Sequence, residues 1–274
     1  MLNQWTARAA HDPDYAVFGR GHPPAVTLRI CTYNIHKGFS QFNRRMVIHE
    51  LRERLRLLKV DIVFLQEVQG MHFRHAIRHP DWPVEPQHEF LARDIWPSSA
   101  YGGNAIYDHG HHGNAILSRF PILSSHNQDV SDHRFERRGL LHCEIAPGPK
   151  RPTIHCVCVH LGLMAGSRRR QMGALARRME TLAVHDAPLL IAGDFNDWRN
   201  HADALLVERL GVREVFCDTR GAPARSFPSQ MPVLRLDRIY VRGLTPRDGQ
   251  VHFGPPWSRI SDHAALTADL AWPS

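Results

Sequence analysis

A chain of 274 residues, 43% of them hydrophobic, can bury a full core, and a single domain over residues 26–274 is expected behind a loosely ordered leader at 1–25. No run of about 18 apolar residues occurs and no apolar stretch follows the first Met, which argues against a spanning helix or a secretory signal; a monomeric cytoplasmic protein is the expectation. A formal net charge of +7 and a pI near 9.5 favour an anionic partner, a phosphate ester first, with nucleic acid or a membrane surface also compatible.

In chain order, Val26 to Tyr33 reads as a strand that ends at Asn34. Asn43 can cap the helix that follows, in which Val47, Leu51, Leu55 and Leu58 share a face while Arg52, Glu53 and Arg56 meet water. Val60 to Leu65 is a continuous apolar run, the mark of a strand covered on both faces, and it leads into Gln66 and Glu67. Residues 70 to 103, rich in His, Pro and Trp, yield only a helix near Glu89 to Ile95.

Strand signals then recur at Gly113–Leu117, Ile122–Val130, Leu140–Ile145 and Thr153–Leu161, separated by turn residues, as in an antiparallel meander. A helix after Ser167 carries Met172, Leu175, Met179, Leu182 and Ala183 on one stripe. Its arginines (Arg168, Arg169, Arg170, Arg177, Arg178) read as a solvated face. Leu189–Ala192, Leu236–Val241 and Ala264–Leu270 supply three more strands. Helices that interrupt runs of strands point to a layered α/β sandwich rather than Rossmann winding. Of five cysteines, an odd number, four lie in strand-like segments and fit buried free thiols; Cys156 and Cys158 have no second pair at zinc-finger spacing.

Many of these strands run into, or start from, an acid, amide or imidazole: Asn34, Glu67, His160, Asp194, Asn196, Asp237 and Asp262-His263. If those ends share one rim they form a site, and its oxygen-rich donors suit Mg²⁺ or Mn²⁺ better than zinc.

Through Thr32-Tyr33-Asn34, Leu65-Gln66-Glu67-Val68, Gly113-Asn114-Ala115-Ile116-Leu117-Ser118-Arg119, His160-Leu161, Gly193-Asp194-Phe195-Asn196, Leu236-Asp237-Arg238-Ile239 and Ser261-Asp262-His263, the sequence resembles the endonuclease/exonuclease/phosphatase family over about residues 26 to 270. The resemblance implies a DNase I-like four-layer α/β sandwich, two packed mixed β-sheets flanked by helices. It also implies metal ligation by Glu67, Asn34 and Asp262, with Mg²⁺ as cofactor and Mn²⁺ able to substitute. Asp194 would orient and deprotonate the attacking water. Asn196 and His160 would contact the phosphate, and His263 would act beside it with Asp237 as its carboxylate partner.

Further substrate contacts are expected from Asn34, Arg138, His36 and Asn114, with Arg119, Lys37 and the His109–His112 stretch as weaker candidates. The Gly-Asn-Ala-Ile-Leu-Ser and Gly-Asp-Phe-Asn segments look most like the sphingomyelinase-like and small bacterial hydrolase branches. The expected activity is therefore a phosphodiesterase or phosphatase acting on a small or lipid-derived ester by in-line attack of water. The alternatives are a nuclease, for which Trp82, Trp96, Trp198 or Trp257 could supply a wedge, and a non-catalytic binding protein.

Overall fold

A computed structural model describes residues 27–41, 45–133, 136–182 and 187–273. The expected leader at 1–25, the proposed cap Asn43 and the stripe residue Ala183 lie outside the described residues.

Two six-stranded sheets form the centre. The first holds β1 (Thr27–Asn34), β2 (Ile62–His72), β3 (Ser98–Tyr107), β4 (Gly110–Ser118), β11 (Thr245–His252) and β12 (Ala265–Ala271), in the order β11-β12-β1-β2-β4-β3. The second holds β5 (Ile122–Asp129), β6 (Gly139–Ile145), β7 (Ile154–His160), β8 (Leu189–Asp194), β9 (Arg213–Glu214) and β10 (Asp237–Arg242), in the order β5-β6-β7-β8-β10-β9. Each sheet contains one parallel pair, β1/β2 and β7/β8, among antiparallel neighbours. Parallel neighbours need a crossover, and α1 (Ile48–Leu57) and α4 (Ala165–Leu182) provide it.

The apolar patterns account for four layers. Ile30, Phe64, Ile116, Cys156, Leu190, Ile239 and Leu266 fill the space between the sheets. The alternate residues Cys31, Tyr33, Val63 and Leu65 pack outward against Leu51 and Leu55 of α1 and against Phe90 of α3 (Gln87–Ala92). On the far side Val157, Val159 and Ile191 meet Met172, Leu175 and Met179 of α4 and Leu206 of α5 (His201–Leu210). Burial on both faces is why the central strands read as unbroken apolar runs.

Several expectations are corrected. The helix placed near Glu89 to Ile95 is α3, shifted toward the N-terminus, and residues 70–103 also hold the end of β2, a short α2 (Phe73–Arg78) and most of β3. Leu182 is 43% exposed and leaves the buried stripe of α4, whereas Arg168, read as solvated, is 2% exposed and donates to the carbonyls of Gly162 and Leu163. Cys31, Cys143, Cys156 and Cys158 are buried free thiols, as expected, with Cys217 half-buried. Among the described residues no helix is long and apolar enough to cross a membrane.

Candidate active site

The registers bring the polar strand ends together. His160 lies opposite Asp194 in the parallel pair β7/β8, and Asp237, at the start of antiparallel β10, also faces Asp194. In the other sheet Asn34 lies opposite Gln66, so the end of β1 neighbours Glu67, and antiparallel β12 begins beside that end, just after Asp262 and His263. All eight strand-end residues therefore gather on one rim that both sheets share.

Asp194 is the centre of the cluster and is 2% exposed. Its Oδ1 accepts from the Asn196 backbone N–H at 2.9 Å, and its Oδ2 lies 3.2 Å from Asn34 Nδ2, 3.5 Å from His160 Nε2 and 3.8 Å from His263 Nε2. The preceding Gly193 has φ +149°, and a Cβ there would come within 2.0 Å of the Val159 carbonyl oxygen. Only glycine lets the strand end in this way. On the other side of His263, Nδ1 lies 2.8 Å from Asp237 Oδ2. The chain thus builds a line of carboxylate, imidazole and carboxylate.

Burial opposes charge on His263, yet the Asp237 and Asp194 carboxylates and the bond to Asp237 outweigh it and raise the imidazole to about 10. Asp194 is pushed above the ordinary carboxylate range, by burial first and by Asp237 second, while His263 and the bonds from Asn196 and Asn34 pull it down. His160 is held neutral by burial, helped by the nearby charge of Arg138.

The second half of the cluster is richer in oxygen. Glu67 sits in a bulge of β2 where the register shifts between Leu65 and Val68, with φ +56°. Its carboxylate accepts from Asn34 Nδ2 at 3.3 Å and lies 3.5 Å from Lys37 Nζ. Asp262 Oδ1 lies 3.1 Å from His36 Nδ1, a contact that raises His36. Burial works against ionisation of Glu67, but Lys37, His36 and the Asn34 bond hold its carboxyl below the ordinary range. Glu67 and Asp262, both held below the ordinary carboxylate range, are hard donors that fit a Mg²⁺-type ion, and Asn34, whose Oδ1 accepts from His36 N–H at 3.2 Å, keeps a second lone pair on that oxygen for the same ion. Asp194, Asp237 and His263 also bring ligand atoms within 4.8 Å of one another. Their short Asp237–His263 bond already engages Nδ1, so a carboxylate–imidazole pair explains that grouping better than a metal.

Polar bonds fasten the two sheets together beside the site. Gln66 Nε2 reaches Cys158 Sγ at 3.2 Å, and Asn114 Nδ2 donates to the carbonyls of Gly139 and Cys158 at 3.0 and 3.3 Å. Asn114, expected at the substrate, is 1% exposed, and its amide N–H groups serve the inter-sheet tie. Arg138 is likewise engaged, by Leu161 O at 3.1 Å, Glu136 Oε1 at 3.1 Å and Arg137 O at 3.2 Å, so its geometry supports the loop after His160. Asn196 uses one of its two amide N–H groups on the same Leu161 carbonyl at 2.9 Å. Arg119 is at the opposite end of the first sheet, where its backbone N–H meets Asp61 O at 2.9 Å. His112, from the weaker-candidate stretch, lies in β4 opposite Gln69, close enough to feel Lys37 and Glu67. Of the candidate wedges, Trp82 and Trp96 are buried and Trp257 packs edge-on to Tyr33, while Trp198 is 44% exposed over Arg168.

Sequence reasoning missed Gln87. This side chain, 1% exposed on α3, accepts from Gln69 N–H at 2.9 Å and donates to Lys37 O at 2.8 Å, so it clamps the bulge of Glu67 to the turn of His36 and Lys37. That turn has positive φ at His36 (45°) and Lys37 (59°), and it needs such a clamp. No local pattern marks a glutamine for this role.

A rim of paired carboxylates and imidazoles on two packed mixed sheets defines a hydrolase site of the DNase I-like fold. The chain matches the Endonuclease/Exonuclease/phosphatase family over residues 31–263 and belongs to it. Members of that family are phosphoester hydrolases and generally depend on a divalent metal, and this chain is a phosphoester hydrolase in that broad sense. It is 46% identical over 244 residues to the uncharacterized protein YbhP of Escherichia coli (strain K12), a match covering 89% of this chain and 96% of that one. Among solved structures, an endonuclease/exonuclease/phosphatase from Beutenbergia cavernae superimposes with a TM-score of 0.71 at 17% identity, covering 90% of this chain and 72% of the other. A mannosyl-6-phosphatase from Bacteroides thetaiotaomicron does so with a TM-score of 0.68 at 15% identity, covering 89% of this chain and 100% of the other. These two likenesses establish the fold alone.

Proposed function

We propose that the chain is a Mg²⁺-dependent phosphodiesterase or phosphatase, with Mn²⁺ able to substitute, acting on a small or lipid-derived phosphate ester by in-line attack of water. The observation that carries this reading is the buried Asp194 carboxylate, with Asn34, His160 and His263 nitrogens within 3.8 Å of its Oδ2. A carboxylate raised toward neutrality is suited to take a proton from water.

Mg²⁺ bound by Glu67, Asp262 and Asn34 would supply charge to the phosphoryl oxygens. The chain's own residues do the rest. Asp194 receives the proton of the attacking water as its oxygen joins phosphorus, the ester P–O bond breaks, and the leaving oxygen takes up a proton from solvent. His263, kept protonated by Asp237, places positive charge beside the phosphate as negative charge grows there. Neutral His160 donates a hydrogen bond, and the Asn196 N–H not used on Leu161 would supply a second donor.

The test is chelator-sensitive hydrolysis of bis(p-nitrophenyl) phosphate, p-nitrophenyl phosphate and abasic duplex DNA, each with Asp194→Asn alongside. Ester turnover that needs Mg²⁺ and falls by about 10²-fold or more in the variant supports the reading. A folded, metal-binding protein that turns over none of the three would sink it. Trp198, exposed over a guanidinium, favours the nuclease as second reading, and cutting of DNA alone would promote it.

A further inference from the structure

The loop that leaves His160 forms one wall of a groove of about 670 Å³, and the β3–β4 hairpin forms the other. Leu163 and Met164 stand on the first wall, Ile106 on the second, and His112, Glu136 and Arg138 line the space between them. The groove joins the catalytic cluster directly. Arg138 Nε and Asn196 Nδ2 both donate to Leu161 O, at 3.1 and 2.9 Å, while Glu136 Oε1 accepts from Arg138 Nη2 at 3.1 Å and from Leu163 N–H at 2.9 Å. Catalytic loop and groove wall are one hydrogen-bonded unit. His112 and Arg138, which line the groove, lie near enough to His160 to bear on its charge, so the groove opens beside the proposed phosphate position.

The chemistry of the walls is unexpected for a site that binds only phosphate. Ile106 is 82% exposed, Met164 65% and Leu163 58%, three large aliphatic side chains that line one cleft and that the described residues leave mostly uncovered. The backbone of Leu163 is anchored through Glu136, so its exposure is built in and does not come from a frayed end. On the floor, three Arg138 N–H groups and Glu136 Oε1 bond within the protein, while His112, His133 and Arg137 complete a polar side suited to the phosphate end of a ligand, which leaves the aliphatic lips for its substituent. Apolar lips of this kind mark a surface that is covered in use, and a cleft of this size holds an organic group far larger than phosphate.

We infer that the groove is a subsite for an aliphatic substituent, an alkyl or acyl chain carried by the scissile phosphate, seated between Ile106 and the Leu163–Met164 lip. This rests on the proposed phosphate-ester reading and narrows it to amphiphilic esters. Sugar phosphates and nucleotides would leave the lips bare.

The test separates the subsite from the chemistry. Calorimetric titration of methyl-, butyl- and octylphosphonate, each below its aggregation range and with Mg²⁺ present, reads the groove without turnover. Affinity is expected to rise about two- to fourfold per added methylene. Leu163→Ser with Met164→Ser, and Ile106→Ser, flatten that slope, whereas Leu57→Ser, an equally exposed position on α1, leaves it intact. Chain-length independence in the unaltered protein, or failure of all three phosphonates to bind, overturns the inference. Hydrolysis of methyl p-nitrophenyl phosphate is read in parallel. Turnover with a flat binding slope removes the subsite and keeps the hydrolase, while a steep slope without turnover of any ester does the reverse.

Discussion

His263 is held between two carboxylates, and its raised pKa fixes the sign of two pH effects. Because it stays protonated to about pH 10 in place of the ordinary 6.5, the alkaline limb of kcat/KM is expected near pH 10. Asp237→Asn removes the largest group that favours the charge, so the limb moves downward; a profile that stays in place would refute the pairing. The same shift contributes to stability in full below about pH 6.5 and is lost as pH rises through about 10. Urea midpoints at pH 6 and pH 9.5 should therefore differ more in the unaltered chain than in His263→Gln.

At this scale the sequence was informative because a residue at a strand end keeps its position along the rim. Asp194, Asp237 and His263 could be read that way. Asn114 and Arg138 could not, since whether an amide or guanidinium meets substrate or a backbone carbonyl depends on which loop folds over it.

Two elements set the geometry of the metal-side residues, the bulge in β2 and the turn at His36 to Gly38, and Gln87 joins them. Gln87→Met, nearly the same volume with neither hydrogen bond, is expected to weaken Mg²⁺ binding by about tenfold or more, measured by titration calorimetry. An unchanged affinity would show that the bulge holds its shape without the clamp. Gly193→Ala tests the end of β8: a side chain driven against the Val159 carbonyl at positive φ should cost about 3 kcal/mol in denaturant unfolding. The strands with apolar runs were legible in advance. β3, β9 and β11 were not, for each lies next to or at a sheet edge, where half-exposed residues blur the alternation, and β3 carries Gly102 and Gly103 in its middle.

For the molecule as a whole, a ligand that binds only the native state adds to its stability. Mg²⁺ at about a hundred times its Kd should contribute about 2.7 kcal/mol and raise the calorimetric Tm by a few degrees, an increment that a chelator removes. A Tm indifferent to Mg²⁺ would argue that Glu67, Asp262 and Asn34 do not form the ligand set. The four-layer arrangement followed from mixed helix and strand order together with the family motifs. The pairing order did not, because no local signal says that β1 lies between β12 and β2, strands that arrive at opposite ends of the chain.

That order leaves the reacting groups divided. Asn34, Glu67, Asp262 and His263 belong to one sheet, His160, Asp194 and Asp237 to the other, and the Asp237–His263 and Asn34–Asp194 contacts span the seam. Turnover is therefore a gauge of how tightly the seam is closed. Trimming a methylene from Ile116 or Leu190, residues that no substrate meets, could part the halves by a few tenths of an ångström and leave the spectroscopic signature of the fold intact. Because in-line attack tolerates little misplacement, such a protein would lose its rate well before its shape, and heating should silence the enzyme below the temperature at which it unfolds.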